Sequence, residues 1–235
     1  MDLTPGHAAE EVTNDPQRKY VLLHIGKTGG TSLGALIRNL RAEDADLRIS
    51  KLGHSWRLRA VARKRPNVQI GFVIRDPASR FVSAFNSRLR SGRPAHEHVW
   101  KSEEAIVYAF FTTANDLAKA LCSEDERLKS AAQFAMKNIA HLRRGYQYHL
   151  GGIDVLESLK DRIYCVCDLN DLSDRVYEFF APLGFDEAKI RSQFKHVHRG
   201  NDVSPLSDLA LQNLRTIWAT EFEIYEYCRK ELFVR

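Results

Sequence analysis

The stretch from Tyr20 to Leu40 constrains the fold more than any other part of this sequence. Tyr20 to Ile25 (YVLLHI) is a short, nearly continuous apolar run, the pattern of a strand buried on both faces of a parallel sheet. Gly26 to Gly30 then forms a Gly-rich loop, and from Ser32 onward Leu33, Leu36, Ile37 and Leu40 share one helical stripe. Strand, glycine loop and helix in that order open an α/β sheet. The rest of the chain repeats the alternation. A weak strand at Leu47 to Leu52 precedes a basic helix ending at Arg65, and Val68 to Ile74 (VQIGFVI) is a second buried strand. Arg75-Asp76-Pro77 stops that strand and starts a helix reaching about Arg90, because proline suits a first helical turn.

From about Val99 to Leu150 the chain reads as helical, with Leu128, Ala132, Ala135, Ile139 and Leu142 on a core-facing stripe. Arg162 to Cys167 (RIYCVC) is a third buried strand, and Asp171 to Pro182 reads as the helix after it. His196 to Pro205 is polar and turn-rich. From Leu206 one final helix would carry Ala210, Leu214, Ile217, Trp218, Tyr225, Cys228 and Leu232 on one side. The expected architecture is α/β, a mostly parallel central sheet flanked by helices. The first 17 residues hold four acids, two prolines and no Lys or Arg, so residues 1–18 are expected to be a loose tail. Residues 19–235 would be one domain, with about 95–150 as a helical insertion.

Composition narrows the class. Hydrophobic residues make up 44% and charged residues 28% of 235, which excludes collagen-like, coiled-coil and wholly disordered chains. No apolar run approaches the roughly 18 residues of a membrane span, and no secretory signal is visible. Four cysteines make no disulfide framework; Cys165 and Cys167 share one face of a strand and suit packing, so a reducing compartment is expected, the cytoplasm given no visible signal, with a trimmed Golgi luminal domain as the alternative. Charge is uneven. Between Arg38 and Arg93 stand 14 Lys and Arg against four acids, so this stretch carries +10 while the whole chain carries +5. Such asymmetry reads as a surface that meets anions (nucleotide, nucleic acid or an acidic polymer) or, taken alone, as a solvated face.

Two segments carry chemistry. His24-Ile25-Gly26-Lys27-Thr28-Gly29-Gly30-Thr31-Ser32 lies between strand and helix. Its glycines let N–H groups approach an anion, the helix start adds partial positive charge, Lys27 adds a full one, and Thr31 and Ser32 add hydroxyls. A Walker A loop needs glycine where this chain has Val21, so the cradle is a different one. The second segment, Arg75-Asp76-Pro77-Ala78-Ser79-Arg80-Phe81-Val82-Ser83-Ala84-Phe85, opens at the carboxyl end of the second buried strand, where α/β proteins bind ligands. An arginine fork with a hydroxyl, Arg75 with Ser83, is a donor set for phosphate. Read separately, the first could be a plain Gly-rich turn and the second an arginine paired with its neighbouring aspartate.

Together, K-T-G-G-T-S after one strand and R-D-P-x-x-R-F-x-S-A-F after another closely resemble the PAPS-dependent sulfotransferases. The likeness is strongest to the carbohydrate branch containing the heparan sulfate 2-O- and 6-O-sulfotransferases and their bacterial relatives. The resemblance implies a P-loop-like fold and transfer of a sulfuryl group from PAPS to a carbohydrate-type hydroxyl, giving PAP. It implies that Lys27, Thr28, Gly29, Gly30, Thr31 and Ser32 hold the 5′ side of the donor and Arg75 and Ser83 its 3′-phosphate. It further implies that His54, in Leu52-Gly53-His54, is the catalytic base, and that Arg199 and Asn201 of a closing loop touch the nucleotide. Three positions depart from the pattern: Gly26 where proline is common, Glu221 where aspartate is, and Cys167-Asp168 near a usual glutamate.

The other histidines read more plainly: His24 as structural, His141 as a solvated helix end or a residue facing an acceptor, and His196 and His198 as parts of the polar loop. No metal spacing occurs, and sulfuryl transfer needs no metal. A kinase using ATP and magnesium is disfavoured by Val21 and by the lack of an obvious metal-holding aspartate. A polyanion-binding module would explain the +10 stretch but neither motif, and no nucleic-acid signature is present.

Overall fold

A computed structural model describes residues 19–93, 97–195 and 205–233. Four strands, β1 (Lys19–Leu22), β2 (Ile49–Lys51), β3 (Val68–Ile74) and β4 (Ile163–Asp168), form one sheet in the order β2-β1-β3-β4. Every pairing is parallel, as the unbroken apolar runs predict. A parallel sheet places every strand's carboxyl end on one edge, so the loops after β1, β2 and β3 meet there. The strand order reverses around β1, and the Gly-rich loop leaves β1 at that point.

Helix α1 (Gly30–Glu43) buries Leu33, Leu36, Ile37 and Leu40, the stripe read from the sequence. It covers one sheet face together with Tyr20, Leu22, Ile49, Cys165 and Cys167, so the C-x-C pair is packed as expected. The opposite face, through Val21, Leu23, Ile70, Phe72 and Val166, packs on α2 (Leu58–Lys64), α8 (Tyr146–Leu150), α9 (Ile153–Ser158) and the chain's last helix. Helix α3 (Pro77–Leu89) starts on an Asp76 cap whose carboxylate accepts from the Ser79 N–H at 2.7 Å. It joins α4 (Ser102–Phe110), α5 (Ala114–Ala120), α6 (Glu126–Asn138) and α7 (Ala140–Arg143) around a separate core of Phe81, Phe85, Phe111, Leu117, Ile139 and Leu142.

Three local expectations fail. Leu128 is exposed, because it sits in the first turn of α6, before the helix meets its neighbours. The helix expected at Asp171 to Pro182 is one turn, α10 (Leu172–Arg175), followed by 3₁₀ segments Val176–Phe179 and Ala181–Leu183. A 3₁₀ winding stacks residues three apart, which aligns Val176 with Phe179 on the sheet and Arg175 with Glu178 in a bidentate ion pair. After α11 (Glu187–Gln193), the single terminal helix is instead α12 (Asp208–Ile217) and α13 (Ala219–Tyr227), extended by a π turn at Cys228–Leu232. The break at Trp218 sets its ring edge-on to Phe81 at 5.4 Å and leaves Ile217 outside the core. Residues 1–18, His196, His198, Arg199 and Asn201 lie outside the described residues.

Candidate active site

The loop after β1 begins the site. Lys27 takes a left-handed φ of 70° and Gly29 one of 84°, the conformations from which anion-binding backbone nests are built. Gly29 caps α1 without any side-chain hydrogen bond, and among the described residues no backbone carbonyl accepts from the N–H of Lys27, Thr28, Gly29, Gly30 or Thr31. An uncapped helix start with open amides is a receptor for negative charge. Thr28 is buried and donates its hydroxyl to the Ile25 carbonyl at 3.0 Å, so what it offers a ligand is its N–H. Ser32 is buried as well, while Thr31 is exposed.

The second motif closes on this loop. Arg75 donates from Nη1 to the Lys27 carbonyl at 3.3 Å and from Nε to the Ser79 hydroxyl at 2.9 Å. Ser83, one turn further along α3, is half-buried. Burial, then the charges of Arg75 and Arg90, lower the Lys27 ammonium to a pKa of about 8, and burial also lowers Arg75. Lys27 meets no carboxylate among the described residues. Asp76 and Asp168 act on Arg75, but Lys27, set beside Arg75 and Arg90 with no carboxylate of its own, favours an anionic ligand.

Arg80 lies within the second motif. It is fully buried and acts as a strut: Nε donates to the Gly26 carbonyl at 3.1 Å, and Nη2 donates to the carbonyls of His141 (2.8 Å) and Arg144 (2.5 Å). It thereby ties the loop to α7, and its guanidinium lies over the Tyr146 and Trp218 rings.

Beside the loop, the His54 ring packs tilted against His24 with centroids 3.8 Å apart and meets His141 edge-on at 5.4 Å. His141 is therefore not a solvated helix end: Gly26 leaves room for its ring, since a Cβ there would come within 2.6 Å of Nδ1. His24 Nδ1 lies 3.3 Å from Lys51 Nζ, so it accepts and the ring keeps its proton on Nε2. Burial is the main cause lowering all four clustered histidines: His24 to about 2, His141 to about 3, His149 to about 4, and His54 below its usual value, helped by Lys51 and Arg144. Neighbouring cations are thus secondary to burial at His54. Its buried Nδ1 has no hydrogen-bond partner among the described residues. The described residues hold no His, Cys, Asp and Glu group able to bind a metal.

Two of the departures noted in the sequence acquire partners. Asp168, at the end of β4, accepts from the Tyr225 hydroxyl at 2.7 Å, and Glu221 accepts from the N–H groups of Tyr146 and Gln147 at 2.5 and 2.9 Å. Compared with known families, residues 10–228 match the model described as the Sulfotransferase family. The chain belongs to the sulfotransferase family. This family takes in the heparan sulfate 2-O- and 6-O-sulfotransferases that the two motifs resemble, and its P-loop-like α/β fold agrees with the parallel sheet. No curated protein and no solved structure matches this sulfotransferase. No helix among its described residues is long and apolar enough to cross a membrane.

Proposed function

We propose that this sulfotransferase moves the sulfuryl group of PAPS to a hydroxyl of a carbohydrate-type acceptor, releasing PAP and a sulfate ester. The observation that carries the reading is the contact of the two motifs, Arg75 Nη1 on the Lys27 carbonyl, beside an uncapped α1. The residues suit the donor: open amides of residues 27–31 and the Lys27 ammonium for its 5′ side, and Arg75 with Ser83 for its 3′-phosphate. In the reaction the acceptor oxygen attacks sulfur, the bond from sulfur to the 5′-phosphate oxygen breaks, and PAP leaves with that oxygen's charge. Lys27 neutralises this charge, and His54 takes the acceptor's proton on a ring nitrogen that burial keeps neutral. Catalysis is positioning and electrostatics, as in other transfers with a loose transition state.

Calorimetry with PAP and AMP tests the donor. Only PAP carries the 3′-phosphate, and charge-assisted hydrogen bonds to it should favour PAP by about 10- to 100-fold. Equal affinities refute the assignment, and a magnesium-dependent preference for ATP would replace it with a kinase.

A further inference from the structure

Tyr146 lies outside both motifs, at the first residue of α8, and is fully buried. Its hydroxyl accepts from the Arg75 N–H at 2.8 Å and donates to the Arg75 carbonyl at 2.5 Å. One side chain thus satisfies both backbone polar groups of the residue whose guanidinium reaches Lys27. Arg75 is the first residue past β3, where sheet pairing no longer fixes the backbone. A guanidinium on a long flexible stem is aimed only as well as the backbone that carries it, and two bonds to one phenol remove that freedom. Burial raises the Tyr146 phenol above its ordinary range, so it keeps the proton it donates.

Tyr146 is itself braced. The Glu221 carboxylate accepts from the N–H groups of Tyr146 and Gln147 at the start of α8, and Gly145 makes room, since a Cβ there would strike that carboxylate. From the same helix as Glu221, the Tyr225 ring packs parallel to Tyr146 (centroids 6.5 Å apart, 17° between planes) while its hydroxyl holds Asp168. Helix α13 therefore grips the end of β4 and the start of α8 together.

We propose that Tyr146, braced by Glu221, is a positioning residue that aims Arg75 and so sets how strongly the site prefers a nucleotide bearing a 3′-phosphate. The proposal rests on the reading of Arg75 as the 3′-phosphate partner. Its test is calorimetry with PAP and AMP on the wild type, Tyr146→Phe, Arg75→Ala and the double variant, with thermal melts of each. Tyr146→Phe keeps the ring and removes only the hydroxyl. PAP affinity should fall about tenfold while AMP affinity stays within about twofold, and in the Arg75→Ala background the same change should alter PAP binding by less than about twofold. Equal losses for PAP and AMP, or an undiminished loss without Arg75, overturn the proposal. Should Tyr146→Phe not fold, Glu221→Gln loosens the brace with the hydroxyl intact. A loss of about threefold confined to PAP supports the positioning role, and a loss shared by both nucleotides overturns it. A wild type that binds PAP and AMP alike breaks the 3′-phosphate reading itself, and this proposal with it.

Discussion

The loop from Gly26 to Gly30 is held by arginines donating to its carbonyls, whereas the four histidines beside it are held by ring contacts and single bonds to Lys51 and the Trp56 carbonyl. The loop sets Lys27 among cations with no carboxylate of its own; the histidine cluster gathers bases that burial keeps neutral. Directional bonds to backbone fix the loop's shape in advance, as a receptor for charge must be fixed. Packed neutral rings offer little charge, and His54 Nδ1 is left without a hydrogen-bond partner among the described residues. On the proposed reading the two walls would divide the chemistry: one would stabilise the leaving anion and the other would take the proton.

Substitutions on each wall can break that division. His54→Ala should have the largest effect, a fall in kcat of about 10² to 10⁴-fold with PAP affinity within a few-fold, read by transfer assays and calorimetry. Near wild-type turnover would move the base to His141, its edge-on neighbour. Lys27→Ala should lower kcat by about 10²-fold, and a raised donor KM with unchanged kcat would mean that Lys27 binds ground and transition states alike. Arg80→Met leaves the carbonyls of Gly26, His141 and Arg144 without their donor, and should destabilise the fold by about 2 kcal/mol in urea titrations. Unchanged stability would mean that packing alone joins the walls. Gly53→Ala should do least, under about 0.5 kcal/mol and no loss of turnover, because a Cβ at Gly53 meets nothing within 4 Å and its φ is not left-handed. A large effect there would show that the glycine beside His54 serves motion or substrate.

The loop was legible because its parts are adjacent in sequence: the buried run before it, the glycines, Lys27 and the stripe of α1 all fall within about 20 residues. The segment from Arg75 to Ser83 was legible for the same reason. The histidine cluster was not, since its members come from the end of β1, the turn before α2, α7 and α8, and no local pattern tells that these meet. Only Gly53-His54 stood out, through the family resemblance. Arg80 lay inside a recognised motif, yet its targets at His141 and Arg144 are more than 60 residues away. Tyr146 and Glu221, 75 residues apart, left no signal beyond themselves. Helix breaks were lost similarly: the apolar stripe through Ile217 and Trp218 reads as continuous, and tertiary demand for the Trp218 ring against Phe81 interrupts it.

Gly30 has one more consequence, for the order in which this chain can change. A methyl group at Gly30 would run into the His24 ring, and one at Gly26 into His141. Position 30 can therefore accept alanine readily only after His24 has become smaller, and once alanine is there the imidazole cannot return without a clash. The same ratchet links 26 to 141. A lineage that enlarged either glycine first would pass through a strained intermediate, so mutational routes through this loop run mainly in one direction: histidine first, glycine second.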